Sequence, residues 1–215
     1  MQSFKRIGHG GASALVRANT LGSFEAALEL GVDTIEFDVR SRRGELVLAH
    51  TVLHAARGNP VRLTDALEHL SAPRFDEVGL LVDVKHAGCE PGVVAALRDA
   101  GLMERSMISS QVTGVLDRVR SIEPRVVTAI SVGGWVARFS RRWEDWREQV
   151  LAGLSSGRWD AVMAQHKLVD TALREEVASR GSALYAWTVN DRRAIGLLRT
   201  LGVDGIVTAD PRLFG

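Results

Sequence analysis

TIEFDVRSRRGELVLAH, running from Thr34 to His50, holds two apolar runs separated by only four residues, Ser41 to Gly44. A parallel crossover needs about a dozen residues or more, so the runs TIEFDVR (34–40) and ELVLAH (45–50) are expected to pair as an antiparallel hairpin. That pairing folds His50 back toward Asp38. Within TIEFDVR the side-chain period of two puts Ile35, Phe37 and Val39 on one face and Glu36, Asp38 and Arg40 on the other. One face of this strand meets helices, and the other carries carboxylates inward.

Outward from the hairpin, similar short runs recur: FKRIGH (4–9), GLLVDVK (79–85), SMISS (106–110), RVVTAIS (125–131), DAVMAQ (160–165), LYAWTV (184–189) and DGIVTA (204–209). With TIEFDVR they make eight strands, most of them separated by helical patterns. Asn19 reads as the cap of a helix whose Leu21, Phe24 and Leu28 share a face, with Gly31 as its stop. DTALREEVASRG and DRRAIGLLRTLG each begin with Asp and end with Gly. The expected architecture is α/β, a (β/α)8 TIM barrel with a β-hairpin after the second strand, built as one domain over 1–215; a doubly wound open sheet competes with it. Thr51 to Pro60 reads as irregular, RLTDALEHL as a short helix, and the tryptophan-rich segment 133–154 as a loop plus helix beside the barrel mouth.

Composition narrows the function classes. The chain has 215 residues with 27 Lys and Arg against 26 Asp and Glu, so charge gives no case for nucleic acid as the main partner. No apolar run approaches the roughly 20 residues a membrane helix needs, and no secretory signal pattern opens the chain, so a cytoplasmic location is expected. Cys89 is the only cysteine, which excludes an intrachain disulfide and a cysteine-built zinc cage.

In GLLVDVK the same alternation sets Asp83 and Lys85 together, opposite Val82 and Val84. Barrel strands usually read as near-continuous apolar runs, and an unpaired buried charge costs several kcal/mol, so inward Glu36, Asp38 and Asp83 call for a cation. Lys85 can neutralise one of them. The remaining pair suits a hard divalent ion, Mg²⁺ or Ca²⁺, with ordinary rim salt bridges as the alternative. His9 and His50 end neighbouring strand elements. Beside a carboxylate-held metal, one imidazole can take a proton from an attacking hydroxyl while the other donates to a leaving oxygen, which points to phosphodiester cleavage. Trp187 reads equally well as core or as mouth lining, and His86 as a loop or helix contact. His166 stands near the mouth in one reading, and His54 and His69 read as surface. Arg138, Arg141 and Arg142 form a solvated face or a patch for an anionic headgroup.

The ordered motifs IGHGGAS, ANTLGSFEAALELGVDTIEFDV, ELVLAH, LLVDVK, ISSQ, LYAWTVND and GVDGIVTADP resemble the glycerophosphodiester phosphodiesterase family across essentially the whole chain. The family opening reads H-R-G-A-S, followed by E-N-T, I-E-x-D-V, a run ending in H-D, and commonly E-x-K. The resemblance implies a TIM-type barrel acting on a small-molecule phosphodiester. It also implies a divalent metal on Glu36, Asp38 and Asp83, His9 and His50 as the acid–base pair, Lys85 on the phosphate, and Trp187 at the mouth.

Three positions depart from the pattern: Gly10 stands for the family Arg, Ala18 for the Glu of E-N-T, and Thr51 for the Asp of H-D. The insertion that many members carry after the hairpin is reduced to a short connection. Loss of the Arg removes a bidentate phosphate clamp that Lys85 replaces only in part, so Arg17 and Arg40 become candidate substrate contacts. Trp135 and Trp143 become candidate sources of further binding energy, and Gly10→Arg is expected to help if the pocket admits it. The spider-venom phospholipase D relatives also lack this Arg and carry D-x-K, though with disulfides this chain lacks. Their cyclising chemistry, and a non-catalytic phosphoester-binding barrel, are the alternative functions. The oligomeric state is open.

Overall fold

The computed structural model describes residues 4–134 and 140–215. Eight strands form a closed parallel ring: β1 (Lys5–Gly8), β2 (Thr34–Arg42), β4 (Gly79–Val84), β5 (Ser106–Ser110), β6 (Val127–Val132), β7 (Ala161–Gln165), β8 (Ala183–Trp187) and β9 (Gly205–Thr208). Closure is made between β1 and β2, with Ile7 opposite Thr34 and Gly8 opposite Ile35. A closed ring excludes the open doubly wound sheet. The ninth strand, β3 (Glu45–Leu48), lies antiparallel on β2 with Val39 opposite Leu48 and Arg42 opposite Glu45. Its two-residue turn has Arg43 at φ 50° and Gly44 at φ 85°, the paired positive angles that match the twist of a tight hairpin.

Helices α1 (Leu21–Glu29), α3 (Leu63–Leu70), α4 (Glu90–Asp99), α5 (Thr113–Ile122), α6 (Arg141–Ser155), α7 (Thr171–Ala178) and α8 (Arg192–Leu201) surround the ring. Period two in the strands divides the buried apolar side chains. Ile35, Phe37, Leu80 and Val82 join Phe24, Leu67 and Leu97 between sheet and helices. Ile7, Leu81, Ala129, Met163, Tyr185 and Val207 fill the barrel axis. Inward side chains in β2 turn to charge from Glu36, level with Leu81 of this plug, toward the carboxyl ends of the strands, where barrel sites form.

Local details differ from the sequence reading. Thr20, not Asn19, caps α1: its hydroxyl accepts from the Ser23 N–H while Ser23 Oγ accepts from the Thr20 N–H, a reciprocal capping box. The stretch expected to be irregular holds a helical turn and a half, α2 (Val52–Ala56), because Thr51 Oγ1 accepts from the His54 N–H. Trp143, expected near substrate, is buried in the helix–sheet core, and Trp135 and Arg138 lie outside the described residues. His69 is half-buried, 2.7 Å from Glu25, and is not a free surface residue. Among the described residues no helix is long and apolar enough to cross a membrane.

Candidate active site

Register brings the inward carboxylates together. β2 and β4 are parallel neighbours with Asp38 opposite Asp83 and Glu36 opposite Leu81, so the two aspartates share a level and Glu36 lies one layer beneath. Carboxylate oxygens of the three lie within 4.8 Å of one another. Lys85, just past β4, turns its Nζ onto Asp38 Oδ1 and Asp83 Oδ2, each at 2.6 Å. One ammonium for three carboxylates leaves excess negative charge, and Asp83 Oδ1 is buried with no hydrogen-bond partner. Burial, reinforced by Asp38 and Asp83, pushes the Glu36 carboxyl well above its ordinary range. Burial and Asp38 also raise Asp83 despite Lys85. At Asp38 burial is outweighed by Lys85 and Asn19, and its pKa is lowered. Buried as it is, Lys85 is held firmly protonated by the surrounding carboxylates. An all-oxygen donor set with an orphaned, buried carboxylate oxygen fits a hard divalent cation.

The connection after β1 supports this cluster. Gly10 and Gly11 take φ of 54° and 81°, a double left-handed turn that bulkier residues resist. The turn aims the Gly10 N–H at Glu36 Oε2, 2.7 Å away, and presses Gly11 so close to Ser23 that a Cβ there would lie 2.4 Å from the Ser23 carbonyl oxygen. Ser23 Oγ and the Asn19 N–H both donate to the Gly10 carbonyl. Asn19, itself at φ 60°, holds Asp38 at two points: its Nδ2 donates to Oδ2 at 2.7 Å and its Oδ1 accepts from the Asp38 N–H at 3.0 Å. Sequence reading missed this role, because an Asn before a helix ordinarily signals a cap.

His9 follows β1, its N–H donating to the Thr208 carbonyl, and its half-buried imidazole borders the cluster. Burial lowers its pKa and outweighs the opposing pull of Asp38, with Lys85 and His50 adding to the fall. The hairpin delivers His50 from the other side: the Ala49 N–H donates to the Asp38 carbonyl at 3.0 Å, and Arg40 Nε donates to the His50 carbonyl at 3.0 Å. The His50 side chain is exposed.

Two cavities meet at these histidines. An axial cavity of about 280 Å³ is lined by Leu81, Met163, Trp187 and Val207 together with Glu36, Asp83, Lys85, Ser109, Gln111 and Ser131. A lateral cavity of about 370 Å³ is lined by Gly10, Arg17, Ala18, Asn19, Asp38, His54 and Asn59. His9 and His50 line both. Trp187 thus takes the mouth position, its Nε1 donating to the Met163 carbonyl at 2.8 Å. Arg17 faces the lateral cavity, whereas Arg40 lines neither and braces the hairpin instead. His54, read as surface, borders the lateral cavity, while His166 lines neither. His86 lies off the site, its Nε2 accepting from the Ser41 N–H. Ser109, opposite Asp83 in register, could have been found by parity alone.

Comparison with known proteins supplies a family and a fold. Residues 9–65 and 83–213 match the model of the glycerophosphoryl diester phosphodiesterase family. A glycerophosphodiester phosphodiesterase of Arabidopsis thaliana is 29% identical over 96% of this chain and 70% of its own length. One from Caldanaerobacter subterraneus subsp. tengcongensis is 25% identical over 95% and 93%. Among solved structures, the Thermotoga maritima glycerophosphodiester phosphodiesterase superposes with a TM-score of 0.79 at 20% identity, covering 100% of this chain and 98% of that one. An Oleispira antarctica phosphodiesterase in complex with its product sn-glycerol-3-phosphate superposes at 0.75 and 19% identity, covering 97% and 94%.

Proposed function

Because the chain belongs to the glycerophosphoryl diester phosphodiesterase family, we propose that it hydrolyses a glycerophosphodiester to a phosphomonoester and an alcohol, with His9 and His50 as the acid–base pair. The observation that carries this reading is that both histidines line both cavities. A phosphodiester spanning the junction would set its phosphorus between the imidazoles and one alcohol in each cavity. The product named for the Oleispira antarctica relative supports glycerol phosphate as the monoester here.

His9, kept neutral by burial, suits the accepting role: it takes a proton from water as the water oxygen bonds to phosphorus. His50, exposed where the alcohol leaves, donates a proton to the departing oxygen as the phosphorus–oxygen bond breaks. Lys85, permanently charged and tethered by Asp38 and Asp83, offers a donor to a phosphoryl oxygen. Arg17 faces the group held in the lateral cavity, and Trp187 presents an apolar wall to the one in the axial cavity. A divalent cation, Mg²⁺ or Ca²⁺, held by Glu36, Asp38 and Asp83 would neutralise charge building on the phosphoryl oxygens.

The test is release of choline from glycerophosphocholine. Turnover should vanish with a chelator and return with Mg²⁺ or Ca²⁺. His9→Ala and His50→Ala should each lower kcat by about 10²–10⁴-fold with circular dichroism unchanged. Losses below about tenfold in both variants would remove the histidines from the chemistry.

A further inference from the structure

Seven large apolar side chains are exposed among the described residues, and five of them stand at the end of the barrel where the site opens. Val112 follows Gln111 of the axial cavity. The other four are concentrated on two segments: Leu15 and Val16, 42% and 36% exposed, in the β1–α1 connection, and Val52 and Leu53, 70% and 50% exposed, on α2. These segments face one another across the lateral cavity. Arg17 and Ala18 form one wall, His54 and Asn59 the other, and a Cβ on Gly58 would come within 3.8 Å of the Arg17 guanidinium. The two remaining exposed apolar residues lie elsewhere, Val127 at the opposite end of β6 and Leu197 on α8.

Charge on the same segments has one sign. Residues 10–20 and 50–62 contain no Asp or Glu, yet they hold Arg17, Arg57 and Arg62. Arg62 is paired with Glu45, whereas Arg17 and Arg57, both exposed, have no ion-pair partner among the described residues. An exposed apolar ridge backed by unpaired arginines matches a surface whose outer layer is negative and whose interior is hydrocarbon. A second copy of the chain is a poor match, because a two-fold contact through this patch would set the arginines against themselves.

We propose that Leu15, Val16, Val52 and Leu53, with Arg17 and Arg57, form a docking surface for an anionic phospholipid membrane, so that the site meets phosphodiesters at the headgroup level. The choice of a phospholipid rests on the phosphodiesterase reading, since a headgroup phosphodiester lies at the depth this rim would reach. The lateral cavity then opens directly onto the membrane surface.

Flotation with vesicles tests it. The wild-type chain should float with vesicles of equal parts phosphatidylcholine and phosphatidylglycerol, and much less with pure phosphatidylcholine. Combined Leu15→Ser, Val52→Ser and Leu53→Ser should lower the partition coefficient by about tenfold or more. Arg57→Ala should lower it by about fivefold, an effect that fades in high salt. These exposed residues lie outside the chemistry, so hydrolysis of water-soluble glycerophosphocholine and the melting temperature should stay unchanged in the triple variant. Absence of flotation, equal flotation with both vesicle compositions, or a triple variant that floats like the wild type would overturn the proposal. So would a wild-type dimer that the triple substitution dissociates. A chain that floats as expected but cleaves neither glycerophosphocholine nor the vesicle phospholipids would support docking and overturn the phosphodiesterase reading alone.

Discussion

An imidazole beside carboxylates is ordinarily held protonated, yet His9 goes the other way because burial dominates over the pull of Asp38. Its pKa falls below 6.5, the ordinary imidazole value, so a base proposed at this position stays unprotonated as the medium turns mildly acidic. The acidic limb of kcat/KM should therefore fall below pH 6.5; a limb above that value would contradict the assignment. The same shift makes the folded state lose stability only as pH falls beneath 6.5, where the unfolded chain takes up the proton first. Gly10 is the second instructive residue. The expectation that Gly10→Arg helps meets a geometric obstacle: φ is 54°, and a Cβ would lie 2.9 Å from the Ala18 Cβ. The substitution should cost about 1–3 kcal/mol, lowering Tm by about 2–4 °C for each kcal/mol. Pairing it with Ala18→Gly should recover part of that loss, and thermal melts of the three variants would measure the coupling. Glu36, Asp38 and Asp83 were legible because strand parity is a strict rule. Asn19 was not, since its grip on Asp38 depends on a left-handed backbone that no local pattern announces.

Helices and strands differed in how openly they declared themselves. The hairpin followed from one loop length, and its turn residues adopt the angles such a loop demands. α2 escaped notice because five residues carry too little periodicity to register, and its start depends on a single Thr51 hydroxyl. α6 hides a different constraint. Gly153 sits inside this helix, where glycine is normally unfavourable, and a Cβ there would come within 2.1 Å of the buried Trp159 ring. Trp159 Nε1 is committed to the Val150 carbonyl one turn earlier, so the ring cannot move aside without breaking that bond. Gly153→Ala, stabilising in an exposed helix, should here destabilise by about 1–3 kcal/mol, as urea denaturation would show. Trp143 misled for a related reason: a tryptophan-rich segment looks like a binding surface, but amphipathic helices spend their aromatics on the core.

Across the whole molecule, eight runs of sequence were enough to suggest the ring, while the line along which it closes is visible only in three dimensions. β1 and β2 meet through two residue pairs, against six between β2 and β4. The proposed site straddles this short join, with His9 on one side, Glu36 and Asp38 on the other, and the Gly10–Glu36 and Asn19–Asp38 hydrogen bonds crossing it. A cation on the carboxylates would relieve the repulsion that burial imposes on Glu36. Hydrogen exchange at the Gly10, Gly11 and Asp38 amides, whose hydrogen bonds cross the join, should therefore slow when Mg²⁺ or Ca²⁺ is added, with little change at β6 and β7. Uniform slowing around the ring, or none, would separate ion binding from closure. On the proposed reading the site is the clasp of a bracelet: what fastens the two ends would also do the cutting, so a variant that loosens the fastening should lose reactivity and shape together.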